Sequence, residues 1–345
     1  MKTVIVGVGV MGAATAWALA RRGHDVVMVE QFNVGHSRGS SHGTARYRQL
    51  AAYPTVEYLE LGLRARRLWD EVEKDSNNRI LHRTANISIG DGDLLEQQAA
   101  ALNDFGAPGD LISGSDANEM WPSLTLPSGD PVLVQSDGEV IAANRALSAF
   151  VDLARDAGAQ LIEDCKVDSV EGRSASAVVR TADDGLIADA VVVTPGPWVN
   201  QVARALGLDL GTRVSRQTVI YFEPLDFIPP TITDFGGREP YALWDPANGV
   251  KAAEHSRGPD ADPDGTASVD ERSAERVTTW VRNLVATIDP VPRRIETCLY
   301  TNAPGDRIII EMKGRIVVVS ACSGQGFQFS PAIGEDVADL VNDRL

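Results

Sequence analysis

The chain opens on a short apolar run, residues 3–6, that stops at Gly7, the pattern of a strand buried on both faces of a parallel sheet. Ala13 to Arg22 is rich in helix formers and is closed by Gly23. A second apolar run, Val26 to Val29, ends at Glu30, which completes a strand–helix–strand unit. Residues 33–46 are rich in Gly, Ser and His and read as a loop. From Val56 to Lys74, Leu59, Leu63, Leu68 and Val72 recur at helical spacing and predict an amphipathic helix. Leu81 to Ile89 reads as a strand, and residues 90–130 as short elements among turns. Arg145 to Ala157 reads as a helix stopped at Gly158. Leu161 to Val170 and Ser176 to Arg180 read as strands of a small sheet. Ala190 to Thr194 is a further buried strand, turned into a helix by Pro195, Gly196, Pro197 and Trp198. The stretch 211–300 alternates strand-like segments around an acidic, Gly/Pro-rich insertion at 256–265. Arg307–Ile310 and Ile316–Ser320 form a hairpin, Cys322–Phe329 a glycine-bearing loop. Pro331, at a first helical position, starts a last helix running almost to Leu345, apolar enough to pack back on the N-terminal unit.

Composition narrows the class. The 345 residues suit two compact units, and 43% hydrophobic content excludes a disordered chain. With 32 basic against 48 acidic side chains the net charge is −16, which argues against nucleic acid or an anionic membrane as partner. Cys165, Cys298 and Cys322 are odd in number and match no zinc spacing, so no metal is expected and the setting is a reduced cytoplasm. The N-terminus enters a strand at once and has no signal-peptide anatomy, and no apolar run approaches the ~18–20 residues that span a bilayer.

The first candidate chemistry lies in Gly7, Gly9 and Gly12. Gly7 permits the tight turn, Gly9 lets a pyrophosphate approach the backbone, and Gly12 lets the helix lie close to the strand. The N-terminus of that helix offers free N–H groups and a positive dipole to phosphates. Glu30, about 20 residues on, stands where an acid accepts ribose hydroxyls. This is a dinucleotide cradle, and by itself it serves NAD and FAD alike.

Four patches decide between them: Gly7 to Glu30; Ser40-Ser41-His42-Gly43-Thr44-Ala45-Arg46; Cys298-Leu299-Tyr300-Thr301 with Asp306 to Ile310; and Cys322 to Glu335 with Gly324, Gly326, Phe327, Gln328 and Gly334. With these the chain resembles, over its whole length, the sarcosine oxidase and N-methyltryptophan oxidase group of FAD-dependent amine oxidases. The resemblance implies an α/β protein. A discontinuous Rossmann-type FAD-binding domain (1–50, 131–210 and 300–345) would join an α+β substrate domain with a mixed sheet (51–130 and 211–299). It implies FAD contacts at Gly7, Gly9, Gly12, Glu30, His42, Arg46, Val167, Gly324, Gly326, Phe327 and Gln328. Cys298 would carry the flavin as a thioether, a role that needs a thiolate and neighbouring cations. Cys165 and Cys322 receive no role.

The same resemblance places Tyr241, Lys251 and His255 on the reacting side, with Arg46 a cation near the flavin ring. Lys251 would assist the reaction with O2 by offering fixed positive charge, and His255 would influence the ionisation of the amine. Two positions depart from the group. Where sarcosine oxidases grip the substrate carboxylate with an arginine and a lysine, this chain has Gln49 and Gln328, and Tyr241 completes the substrate-binding set. Arg48 is expected to point elsewhere. Charge-assisted bonds of ~1.5–3 kcal/mol become neutral ones. The expected function is oxidation of the C–N bond of a secondary amine or amino-acid derivative to an imine, with O2 reduced to H2O2 and sarcosine itself a poor substrate. The expected partners are a small-molecule amine and O2, the expected state a monomer. The alternatives are an FAD-dependent dehydrogenase with another acceptor, an oxidase of primary or cyclic amino acids, and a flavin-binding protein without turnover.

Overall fold

The computed structural model describes residues 1–50, 55–107, 109–182, 185–255 and 258–344. The domain boundary expected at residue 51, the first two residues of the expected insertion and Leu345 lie outside the described residues.

The N-terminal pattern folds as its residues dictate. Lys2–Val6, Asp25–Val29, Ala190–Val193 and Ile316–Ser320 lie parallel at the centre of a six-stranded sheet. Gln160–Ile162 and the antiparallel Ile309–Lys313 form its two edges. Three helices cover one face: Val10–Ala20, Ala143–Asp156 and Ser330–Arg344. Their side chains share one core with Ile5, Met28, Val192 and Val317. The last helix does return to the first, and so closely that a Cβ on Gly334 would lie 2.7 Å from the Ala14 carbonyl carbon. It starts at Ser330, so Pro331 is the second helical residue rather than the first. The other face packs on a three-stranded antiparallel sheet (Val167–Gly172, Ala177–Thr181, Gly185–Ala188) and the helix Val199–Ala205.

A second sheet of eight strands runs in the order Arg294–Asn302, Arg213–Phe222, Gly249–Glu254, Pro240–Asp245, Thr231–Asp234, Asn86–Ile89, Pro131–Gln135, Asp110–Ser113. Every pair is antiparallel except Thr231–Asp234 with Asn86–Ile89, so the sheet is mixed. Strand alternation divides its residues between two faces. Ile220, Phe222, Ala242, Val250 and Ala252 pack beneath the helix Glu271–Leu284. Val219, Tyr221, Tyr241, Leu243, Ala253, Cys298 and Tyr300 cluster on the other face.

The structure departs from the sequence reading in four places. Leu161–Val170 is not one strand: Asp164 adopts a left-handed φ of 53°, and the chain passes from the six-stranded to the small sheet there. Leu81–Ile89 is likewise two strands, paired in different sheets. The end of the expected 33–46 loop is a strand, Ala45–Arg48, on Glu139–Ala142. Within 211–300 the helix Glu271–Leu284 stands where only strand-like segments were expected. It is capped by Asp270, whose carboxylate accepts from the Arg272 and Ser273 N–H groups, and its buried face is Ala274, Val277, Val281 and Leu284. Two elements also sit across the expected domain division. The helix Val56–Ser76 buries Ala65, Trp69 and Val72 in the core of the six-stranded sheet, and Pro131–Gln135 is a strand of the eight-stranded one. No helix among the described residues is long and apolar enough to cross a membrane.

Candidate active site

One long cleft lies where the carboxyl ends of the parallel strands (Val6, Val29, Thr194, Ser320) face the eight-stranded sheet, the place where open α/β sheets take their ligands. Of the residues singled out in the sequence, Gly7, Gly9, Glu30, Arg46, Val167, Tyr241, Lys251, His255, Cys298, Gly324, Gly326, Phe327 and Gln328 all line it. Gly12, His42 and Gln49 are not among its lining residues.

At one end the glycines hold the strand–helix turn closer than side chains would allow. Gly7 has φ +91°, and a Cβ there would lie 2.6 Å from the Thr194 carbonyl oxygen; one on Gly12 would meet the Gly7 oxygen at 2.0 Å. The helix beginning at Val10 has no side-chain cap at Gly9 and no acid in its first turn, so its positive end faces the cleft with no charge set against it in that turn. The Ser41 hydroxyl accepts from the Val10 N–H at 3.0 Å. Glu30 is buried at the rim, its carboxylate accepting from the N–H groups of Val8 (2.7 Å) and Phe32 (3.1 Å). A glycine turn, a helix N-terminus with no acid in its first turn and a carboxylate at the next strand end fit the diphosphate and ribose of a dinucleotide.

At the other end, sheet register brings the reacting groups together. Lys251 lies opposite Leu243 and Tyr221, Tyr241 opposite Ala253, and Cys298 opposite Gln217. Tyr241, Lys251 and His255 fall on the cleft face because they are odd positions where even ones face the helix, and Cys298, an even position, joins them because its partner in the register is the odd Gln217. The carbonyl oxygen of Ala45 accepts from Arg46 Nη1 (2.8 Å) and Lys251 Nζ (2.9 Å). Arg46 Nη2 donates to the carbonyls of Ser40 (2.9 Å) and His42 (2.7 Å), and the guanidinium stands 5.5 Å from the Phe327 ring centre. Burial, then the charge of Arg46, lowers Lys251 to about 7. His42 is held at about 4 by burial, Arg46 and Lys251, and its Nε2 is buried with no hydrogen-bond partner among the described residues. Burial pushes the Cys298 thiol up, against the pull of Arg46 and Lys251. The hydroxyls of Tyr241 and Tyr300 are hydrogen-bonded, and burial raises both. Gly324, at φ +76°, lies against Tyr300 and His255: a Cβ would be 2.3 Å from the one ring and 2.5 Å from the other.

The two glutamines form a buried pair. Gln328 Oε1 accepts from the Gln49 N–H at 3.0 Å, so its amide nitrogen faces the other way, and Gln49 Oε1 accepts from Thr233 Oγ1 at 3.2 Å. Gln49 Nε2 is buried with no partner among the described residues. Arg48 does point elsewhere, into an ion pair with Glu139 (2.9 Å) and a bond to the Asp137 carbonyl. Sequence reasoning gave no role to Ser41 or Tyr300, both inside quoted patches, nor to Cys165 and Cys322, which also line the cleft. It also missed that the acidic insertion reaches the nucleotide end, where Asp264 accepts from the Trp198 indole at 2.8 Å. No local signal ties those two residues together.

A parallel sheet with a dinucleotide cradle, facing a mixed sheet that carries a buried lysine, a histidine and a cysteine, defines a nucleotide-dependent redox enzyme of two-sheet α/β type. The chain belongs to the DAO family of FAD-dependent oxidoreductases, whose model matches residues 2–340. It is 26% identical to monomeric sarcosine oxidase of Bacillus sp. (strain B-0618) over 98% of this chain and 91% of that protein. It is 24% identical to N-methyl-L-tryptophan oxidase of Yersinia pestis (strain Pestoides F), over 99% and 95%. The open form of NikD, described as an unusual amino acid oxidase essential for nikkomycin biosynthesis, superposes with TM-score 0.88 at 26% identity, over 98% and 93%.

Proposed function

We propose that this protein oxidises the C–N bond of a secondary N-methyl or N-alkyl amine, or of an amino-acid derivative, to an imine, with O2 reduced to H2O2, acting as a cytoplasmic monomer. Bound FAD supplies the electron sink, taking two electrons from the C–N bond and passing them to O2. The observation that carries this reading is the buried Lys251 ammonium beside Arg46, on the same sheet face as Tyr241, His255 and Cys298. A fixed cation there stabilises the charge that develops on O2. His255 holds the amine in its unprotonated form, and the Tyr241–Tyr300 pair walls the substrate. Residues of the six-stranded sheet and its helices, with Val56–Ser76 included, serve as the FAD-binding domain, and the eight-stranded sheet with Pro131–Gln135 as the substrate domain.

The Gln49–Gln328 pair sets the substrate class. Gln328 presents an N–H donor, not a cation, so the group it meets is a neutral carbonyl or a carboxylate held mainly elsewhere. Larger, less anionic amines are preferred over sarcosine. Amine-dependent O2 uptake and peroxide release across N-methyl amines, N-methyl amino acids and their amides test this. A larger or amidated amine is expected to outperform sarcosine. Sarcosine turning over as well as any of them contradicts the substrate class, and no turnover of any amine contradicts the activity.

Cys298 is the proposed tether. Its thiol must ionise against burial, helped by Arg46 and Lys251, so attachment should quicken as pH rises. Acid precipitation of the holoprotein should leave the yellow colour in the pellet, and that of Cys298→Ser should release it. Colour released from both rules the tether out.

A further inference from the structure

A second cavity, of about 720 Å³, opens behind the strand that carries Arg46; Thr44 forms part of its wall. That volume is within the range of small-molecule sites. We propose that this cavity binds a small organic phosphate or carboxylate, its oxyanion held by Arg79, Arg83 and Arg145 and its apolar body laid on Trp244 and Ile228.

In a chain with 48 acidic and 32 basic side chains, three arginines meet in one cavity, and none of the three makes an ion pair among the described residues. Arg145 Nη1 donates to the Arg79 carbonyl at 3.3 Å. The nearby acids are hydrogen-bonded away from the three arginines. Glu73 accepts from the N–H groups of Ile80 and Leu81, and Glu139, opposite Arg83 on the adjacent strand, is paired with Arg48 at 2.9 Å. Unpaired guanidinium forks are the side chains best shaped to grip carboxylate or phosphate.

Two further features point the same way. His82 Nε2 is buried at the cavity and has no partner among the described residues, its ring edge-on to Trp244 with centroids 5.4 Å apart. Burial first, then Arg79 and Arg145, lowers the imidazole against the weaker opposing pull of Glu73. The helix Ala143–Asp156 begins at the cavity without a side-chain cap. Its first N–H donates to the Thr44 carbonyl at 3.0 Å, which leaves the turn at Asn144 and Arg145 open to an anion. Trp244 and the exposed Ile228 also line the cavity and offer apolar surface. An oxyanion alone would leave that surface unused.

Titration calorimetry of the holoenzyme with phenyl phosphate, inorganic phosphate and benzyl alcohol at fixed ionic strength tests the site. Phenyl phosphate is expected to bind one-to-one and more tightly than the other two. The Arg83→Gln/Arg145→Gln double variant, altered only at exposed side chains, should keep the wild-type melting temperature and bind at least tenfold more weakly. Lys251→Met, altered in the cleft, should bind as the wild type does. Absence of saturable binding, or unchanged affinity in the double variant, overturns the proposal; so does loss in Lys251→Met, which would put the ligand in the cleft. Benzyl alcohol binding as tightly overturns the oxyanion grip, and inorganic phosphate binding as tightly overturns the apolar wall.

Discussion

Arg46 and Lys251 share a single acceptor, the carbonyl oxygen of Ala45, at 2.8 and 2.9 Å. Two cations are thereby held side by side in a buried wall, and among the described residues neither makes an ion pair. Like charges in a poorly solvated place oppose one another, and the group that can shed its proton yields. Lys251 drops to about 7, while Arg46 keeps its charge and three carbonyl partners.

The cost of this arrangement is visible in stability. The fold favours neutral Lys251, so stability falls as pH drops from lysine's usual 10.5 towards 7, and the full penalty holds below that. Lys251→Met should therefore melt higher than wild type by about 3–5 °C at pH 6, with the advantage shrinking towards pH 10. Calorimetric scans across that range check the sign.

The same residue should set the oxygen reaction. The rate with O2 is expected to fall as pH rises through about 7, following the loss of charge on Lys251. In Lys251→Met it should be lower by roughly 10²–10³ and flat across that range. Stopped-flow reoxidation measures both, and a wild-type rate in the variant would remove Lys251 from the reaction.

Gln328 offers a gain-of-function test. Replacing its neutral donor by Gln328→Lys restores a charge-assisted bond, a gain of about 1–2 kcal/mol for an anionic substrate. The kcat/KM for carboxylate-bearing N-methyl amino acids should rise roughly tenfold relative to their amides. An unchanged ratio would mean that the substrate's carbonyl does not meet this side chain.

Glu254, one residue before His255 and on the opposite sheet face, ties its strand to the helix Glu271–Leu284. It binds Arg238 (2.6 Å), Arg276 (2.8 Å) and Ser273 (2.8 Å). Burial opposes its ionisation, but bonds from Arg276, Arg238 and Ser273 prevail and hold it near 2. Its contribution is complete above about pH 4.5 and is lost as pH falls towards 2. Glu254→Gln should cost roughly 2 kcal/mol at neutral pH, and denaturant midpoints should depend less on pH in the acid range.

What the sequence made legible was what rests on local pattern. The run into Gly7, the spacing of Gly9 and Gly12, and Glu30 at the next strand end each announce a conformation that neighbours alone determine. Tyr241, Lys251, His255 and Cys298 were found through resemblance, and their common face follows from strand alternation once the register is known. The helix at Glu271–Leu284 escaped because its four apolar contacts are set among charged residues, in a stretch whose glycines and prolines suggest turns. The break at Asp164 escaped because apolar residues on both sides suit a strand, and only pairing with different sheets separates them. The contacts Trp198–Asp264 and Ala45–Lys251 join segments far apart in the chain, and nothing local encodes them.

The most direct test of the account is the absorbance spectrum of the purified protein before and after anaerobic addition of an N-methyl amino-acid amide. A yellow protein that the amine bleaches, and whose colour returns in air with one equivalent of peroxide, is the expected result. A colourless protein that takes up no FAD, or a yellow one that no amine bleaches, contradicts it.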